Sequence, residues 1–186
     1  MSQHPGHGHR FDQIERLRSP ERVERLQIPQ VVEEVLRECD AHTLLEVGTG
    51  SALFGEAFHQ KGLTVAGIDV NSKMLAAARR YLPEAELKQG VAEAIPFPDK
   101  AFDIVFMGLV LHETDDLLKA LQEARRVARM RVAVLEWPYR PTDFGPGMEE
   151  RLSPDEMNAV RQSANLGEII TINLEHLVLY LMAINE

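Results

Sequence analysis

Thr43-Leu44-Leu45-Glu46-Val47-Gly48-Thr49-Gly50-Ser51-Ala52-Leu53-Phe54 is the stretch that decides the fold. Its first five residues form a short, mostly apolar run with β-branched residues at both ends, which reads as a buried parallel strand. Gly48 and Gly50 follow with one residue between them, and the period of the apolar pattern then changes. Leu53, Phe54, Ala57 and Phe58 fall on one helical face. Strand, glycine turn and helix open a βαβ unit. The turn brings bare backbone N–H groups and a helix N-terminus to the carboxyl edge of the sheet, where open α/β sheets bind nucleotides.

The kind of nucleotide follows from what surrounds the glycines. A dinucleotide fingerprint needs a third glycine three residues after the second, and Leu53 stands there. Glu46, two residues before Gly48, would repel a pyrophosphate and draw a cationic amine or sulfonium. Further out, residues 63–69 read as a second strand ending in Asp69, at the spacing of roughly 20 residues where an acid accepts ribose hydroxyls. The other reading of Asp69 is a helix cap. Asn71 or Ser72 opens a helix with Met74, Leu75, Ala78 and Leu82 inward, and Pro83 stops it. Residues 86–90 are a polar edge strand. Pro96 and Pro98 stiffen the next loop, and residues 102–111 are a nearly continuous apolar strand. Asp115 or Asp116 caps a helix carrying Leu117, Leu118, Leu121, Ala124, Val127 and Ala128. Residues 131–136 are a fifth strand, Ser153-Pro154-Asp155-Glu156 is a capping box, and residues 168–174 and 177–184 pair as a hairpin.

Glu46-x-Gly48-x-Gly50 resembles motif I of the class I S-adenosylmethionine-dependent methyltransferases, acid-x-Gly-x-Gly-x-Gly, with Ala52 where the third glycine stands. Residues 91–105, Val-Ala-Glu-Ala-Ile-Pro-Phe-Pro-Asp-Lys-Ala-Phe-Asp-Ile-Val, resemble the G-D-A-E-x-L-P-F-x-D-x-S-F-D-x-V stretch of the methyltransferase type 11 group, which is ubiquinone/menaquinone C-methyltransferase-like. The resemblance covers about residues 31–185. It implies a single doubly wound, Rossmann-like α/β domain. The sheet would be seven-stranded, mostly parallel, in the order 3-2-1-4-5-7-6 with an antiparallel C-terminal hairpin. It implies S-adenosyl-L-methionine as cofactor, with Glu46, Gly48, Thr49 and Gly50 at the methionine end and Asp69 on the ribose. Val70 and Ile95 would flank adenine, and Met107 and Gly108 would border the sulfonium. The acid that holds the adenine amine in that group is replaced by Val91, leaving the backbone N–H of Ala92. His112, just past the fourth strand, is the candidate general base; the other reading is a packing or capping histidine. Trp137 and Tyr139, with Glu136, would wall the acceptor pocket or serve as core and rim packing. Where the family has a Lys-Pro-Gly-Gly-like turn, this chain has the tighter Ala128-Arg129-Met130-Arg131.

Composition narrows the partners. At 186 residues the chain is expected to be one domain at 31–186, preceded by a tail and helical cap at 1–30. A net charge of −9 argues against a nucleic acid partner. No Asn/Asp-Pro-Pro-Tyr element follows the fourth strand, so a small-molecule methyl acceptor is expected. No run is long enough for a membrane span, and Cys39, the single cysteine, suits a reducing compartment. A cytoplasmic monomer or homodimer without a catalytic metal is the expectation. His4, His7 and His9 read as a solvated tail, or else as a nickel- or zinc-binding tract. The charged region up to Pro29 and the loop at 141–151 are expected to form a lid over the acceptor. Two rival functions stay open: a non-catalytic S-adenosylmethionine or S-adenosylhomocysteine binder, and a nicotinamide-dependent oxidoreductase.

Overall fold

Three short helices precede the first strand in the computed structural model, which describes residues 14–185: α1 (Ile14–Leu17), α2 (Pro20–Arg25) and α3 (Ile28–Leu36). The tract of His4, His7 and His9 lies outside the described residues. Pro20 opens α2, where its missing N–H costs nothing. Gln27 takes a left-handed conformation (φ 48°) that separates α2 from α3. α3 buries Ile28, Val31, Val32 and Val35, the periodic apolar set, against the sheet.

The sheet then builds from alternating units. β1 (Thr43–Val47) leads to α4 (Leu53–Gln60), β2 (Thr64–Asp69) to α5 (Ser72–Ala78), and β3 (Glu86–Gln89) to β4 (Phe102–Gly108). α6 (Leu117–Val127), β5 (Ala128–Glu136), α7 (Pro154–Ser163), β6 (Leu166–Asn173) and β7 (Val178–Ile184) complete the chain. Strand order is β3-β2-β1-β4-β5-β7-β6, parallel from β3 to β5, with β7 antiparallel to both of its neighbours. This is the expected doubly wound α/β sheet with its terminal hairpin. α3, α4 and α5 cover one face, where Phe106 of β4 packs between Phe54 and Phe58 with ring centroids 5.0 and 5.2 Å apart. α6 and α7 cover the other. Among the described residues no helix is long and apolar enough to cross a membrane.

Two boundaries differ from the sequence reading by three residues, each for a local reason, and the others by one or two. β4 stops at Gly108 and does not run to Leu111, because Leu109 turns left-handed (φ 58°) and Leu111–Glu113 closes as a 3-10 turn. β5 starts at Ala128 directly from α6, because Ala128 itself turns extended (φ −82°, ψ 143°). Arg129 holds that junction, donating to Asp103 Oδ1 at 2.8 Å and to the carbonyls of Lys100 and Ala101. A glycine is not needed there.

Candidate active site

The carboxyl ends of β1, β2, β4 and β5 open into one cleft of about 1300 Å³. Its floor at one end is the turn after β1. Gly48 (φ 70°) and Gly50 (φ 52°) are both left-handed there, and a Cβ on Gly48 would stand 2.6 Å from Val110 Cγ2. Only glycine fits Gly48. The Thr49 N–H donates to the Ile68 carbonyl at 2.9 Å and ties the turn to β2. Asp69 completes the frame: its Oδ2 accepts the Gly50 N–H and its Oδ1 the Asn71 N–H, both at 2.8 Å. Burial pushes the Asp69 carboxyl up, and these two N–H bonds oppose the shift. Asn71 caps α5 by accepting from the Lys73 N–H, so capping is not the role of Asp69.

Glu46 sits beneath this turn and does not line the cleft. Its Oε2 accepts the Thr49 hydroxyl at 2.5 Å and the Gly55 N–H at 3.1 Å. Burial, with the nearby Asp69 charge adding to it and the Thr49 and Gly55 bonds opposing it, raises its pKa to about 8. The charge expected to face a cationic ligand is therefore largely protonated at neutral pH and is spent inside the protein. Gly55 makes this possible, because a Cβ there would stand 2.6 Å from Glu46 Oε2. A glycine inside an otherwise good helical pattern was the available signal for it.

The remaining expected residues separate into those at the cleft and those behind it. Gly48, Thr49, Gly50, Asp69, Val70, Gly90, Ala92, Gly108, His112 and Trp137 line it. Val70 is 51% exposed and offers an apolar face. Val91 pairs across a tight turn with Ala94 and stands just outside the lining. Met107 and Ile95 do not reach the cleft: both are buried in the core on the α6 side, since alternate residues of a strand point to opposite faces. Gly108, expected at the rim with Met107, does stand there, and Leu109 stands beside it. Tyr139 is exposed and also lies outside the lining.

At the other end His112 stands in the 3-10 turn after β4. Its Nδ1 is 2.7 Å from Glu136 Oε2, and its backbone N–H donates to Glu136 Oε1 at 3.1 Å. A carboxylate only accepts, so Nδ1 carries the proton and Nε2 is left as the available nitrogen. Nε2 lies 3.9 Å from Glu113 Oε1. Burial alone would lower the His112 pKa, but the Glu136 hydrogen bond and charge, with Glu113 and Glu150 behind them, raise it. Glu136 is 1% exposed and is the partner of His112, not a pocket wall. Trp137, Phe144 and Leu152 supply the apolar wall instead.

Two arginines that sequence patterning did not mark shape the rim. Arg151 is buried and donates to the carbonyls of Pro138, Arg140, Phe144 and Pro146 and to the Thr142 hydroxyl, gathering the loop after β5 around one side chain. Arg18, just after α1, donates to Glu56 Oε2 at 2.6 Å and to the Ser51 carbonyl, and stacks on Tyr81. Leu17 thereby reaches within 3.7 Å of the Cβ position of Gly50. The N-terminal helices and the 141–151 loop thus both border the cleft, the first tied to Ser51 and Glu56 through Arg18 and the second gathered on Arg151.

Comparison with known proteins agrees with this geometry. A family model described as a methyltransferase domain matches residues 45–134. The chain is 30% identical over 139 residues to the uncharacterized methyltransferase YcgJ of Bacillus subtilis, covering 70% of this chain and 53% of that protein. It is 33% identical over 87 residues to the demethylmenaquinone methyltransferase of Chlorobaculum parvum, covering 46% of this chain and 36% of that protein. The chain therefore spans about half or less of the length of these curated relatives. A crystal structure of a SAM-dependent methyltransferase from Aquifex aeolicus superposes with a TM-score of 0.79 at 27% identity, covering 95% of this chain and 100% of that one. Strand order, the left-handed glycine turn and the acid ending β2 agree with what these matches show: a methyltransferase domain of the type 11 kind over residues 45–134, on a fold shared with solved S-adenosylmethionine-dependent methyltransferases.

Proposed function

We propose that the chain is an S-adenosylmethionine-dependent methyltransferase acting on a small molecule that gives up a proton as it is methylated. The observation that carries this reading is that one cleft joins the glycine turn to a buried His112–Glu136 pair. Its volume of about 1300 Å³ exceeds the roughly 300–1,000 Å³ of an ordinary one-ligand pocket and suits two reactants side by side.

The residues present fit the cofactor. The floor at Gly48 and Gly50 is bare backbone, where a Cβ on Gly48 would collide with Val110, and each Asp69 oxygen accepts one N–H and keeps a lone pair for a ribose hydroxyl. Val70 offers an apolar surface to the base, and Ala92 borders the same end. The cofactor supplies a methyl group already activated on a sulfonium, and the protein supplies alignment and desolvation. His112 Nε2 is the group that takes the acceptor's proton. Glu136 holds the ring in the needed tautomer and stabilises the imidazolium that results. Trp137 and Phe144 keep water from the reacting end.

Calorimetry and an acceptor panel test the reading. S-adenosylhomocysteine is expected to bind and NAD is not. Asp69→Ala is expected to weaken S-adenosylhomocysteine binding by about 1.5–3 kcal/mol. Preference for NAD overturns the cofactor assignment. Cofactor binding with no methylation of any small acceptor makes the chain a binder and not an enzyme.

A further inference from the structure

α2 turns a charged face to the cleft, and contacts at its two ends fix where that face lies. Arg18, just before α2, is held at the glycine end by the Ser51 carbonyl at 3.3 Å and Glu56 Oε2 at 2.6 Å. Arg25, in the last turn of α2, sets its guanidinium 4.6 Å from the centre of the Phe144 ring, in the apolar wall of the histidine end. Arg22 and Arg25 are three residues apart and share a helical face. Arg22 therefore stands between the two anchors, half-buried, and lines the cleft. Its charge interacts with that of Glu113, whose Oε1 is 3.9 Å from His112 Nε2.

The chain has a net charge of −9, yet the charges around Arg22 sum to positive. Burial, then the charges of Arg25 and Arg16, push its guanidinium below the ordinary value, with Glu113 opposing them. Other acids of the histidine end are turned to the fold. Glu136 accepts from His112, Glu150 Oε2 takes the Gly147 N–H at 3.2 Å, and Glu156 Oε2 takes the Ser153 N–H and hydroxyl. Glu21, Asp143 and Glu149 line the cleft from exposed positions, where water screens them. A half-desolvated arginine beside two others is costly, and an oxyanion offsets that cost. The five N–H donors of a guanidinium also match a carboxylate two at a time. Glu113 on the other side favours a ligand with one negative charge over a doubly charged phosphate.

We propose that the methyl acceptor carries a carboxylate and that Arg22 binds it. The inference rests on the methyltransferase reading above and names the acceptor's class. An apolar body lies against Trp137 and Phe144, a proton-bearing nucleophile faces His112, and an anionic handle sits under α2. A cationic acceptor would add to the repulsion among the arginines, and an uncharged one would desolvate them further without offsetting it.

The test measures binding of four probes to the full chain saturated with S-adenosylhomocysteine: benzoate, benzyl alcohol, benzylamine and phenyl phosphate, which share a ring and differ in charge. The wild-type chain is expected to bind benzoate about tenfold or more tighter than benzyl alcohol, with benzylamine and phenyl phosphate also weaker than benzoate. Arg22→Met is expected to remove the benzoate preference while S-adenosylhomocysteine affinity stays at the wild-type value, which reports an intact fold. Arg22→Lys is expected to keep part of the preference, because the charge remains and the paired donors do not. A preference for benzylamine, equal binding of the probes with no binding of any included, or a benzoate preference that survives Arg22→Met overturns the role of Arg22. So does a matching loss of S-adenosylhomocysteine affinity in Arg22→Met and Arg22→Lys. Tightest binding by phenyl phosphate overturns the carboxylate. Failure of the wild-type chain to bind S-adenosylhomocysteine overturns the methyltransferase reading itself, and this inference with it.

Discussion

The two ends of the cleft are built by different means. At the glycine end the partners are close along the chain: Thr49 and Glu46 are 3 residues apart, Gly55 and Glu46 are 9, and Gly50 and Asp69 are 19. At the histidine end and along the rim they come from further away: His112 and Glu136 are 24 apart, and Arg18 and Glu56 are 38. The first end is a backbone shape that a short sequence dictates. The second is a set of side-chain meetings that exist only once the sheet has formed. Changes at the first end should therefore act on cofactor affinity and on the local fold, and changes at the second on turnover.

The largest expected effect is at the histidine end. His112→Ala should lower kcat by about 10²–10⁴, the usual worth of a positioned general base, with S-adenosylhomocysteine affinity unchanged. Turnover should rise with pH through the elevated His112 pKa, because the neutral ring is the base. Glu136→Gln removes the charge that raises that pKa, so the midpoint should move down as kcat falls. A kcat within a few-fold of wild type in His112→Ala, measured with a confirmed acceptor, would leave His112 a packing residue and erase the contrast between the two ends.

Glu46 gives the next effect, in stability and not in turnover. Its folded pKa of about 8 lies above the ordinary carboxylate value, so the fold favours the neutral form. The stability this contributes is complete below pH ~4.5 and is lost as pH rises through about 8. Asp69 and His112 are also raised and act in the same direction. Asp103, held well below its ordinary value by Arg129, His42 and Thr43 against its own desolvation, acts oppositely and only in acid. Glu46→Gln mimics the neutral carboxyl, and chemical denaturation between pH 5 and 9 should find its stability flatter than wild type by on the order of 2–3 kcal/mol. Parallel pH profiles for the two proteins would show that the carboxyl under the glycine turn is charged after all.

Arg151 sharpens the comparison from the rim. Arg151→Met removes the donors for five acceptors between Pro138 and Pro146 while keeping an apolar stem. The loop should loosen by about 2 kcal/mol in hydrogen-exchange protection over residues 138–150. Acceptor KM should rise while cofactor affinity stays put. A matching fall in cofactor affinity would mean that the two ends are coupled through the loop.

What the sequence made legible divides along the same line. Residues 43–54, the second strand ending in Asp69 and the terminal hairpin announced the fold, because each is a change of period or a glycine at a fixed offset. His112 was legible as a histidine past a strand end; its partner was not, because nothing in Leu-Glu136-Trp says that the carboxyl turns inward toward β4. Of Met107 and Gly108, both assigned to the rim, only Gly108 stands there, because strand alternation turns Met107 into the core. The roles of Glu46, Arg151 and Arg18 depend on burial and on distant carbonyls, which no spacing encodes.

The smallest expected effect is at Ala52, where the family pattern has its third glycine. Ala52 is left-handed (φ 58°, ψ 37°) and caps α4 from a fully buried position. An L-residue in that conformation carries about 1–2 kcal/mol of strain, which Ala52→Gly would relieve. Against this, glycine loses more backbone freedom on folding, about 0.5–1 kcal/mol, and the buried methyl contributes about 0.8 kcal/mol that would be lost. The opposing quantities nearly cancel, so Ala52→Gly should move stability by less than about 0.5 kcal/mol. Gly48 is not open to the same exchange, since Val110 occupies the space its Cβ would need. Gly48→Ala should therefore disturb the turn and weaken S-adenosylhomocysteine binding, whereas Ala52→Gly should not. The pair, compared by thermal melts and calorimetry, separates a glycine required by a close neighbour from one required only by its dihedral angles. A large gain in Tm for Ala52→Gly would mean that the strain at the helix start outweighs the methyl. The tolerance of alanine at this position would then be a cost carried by the glycine end of the cleft.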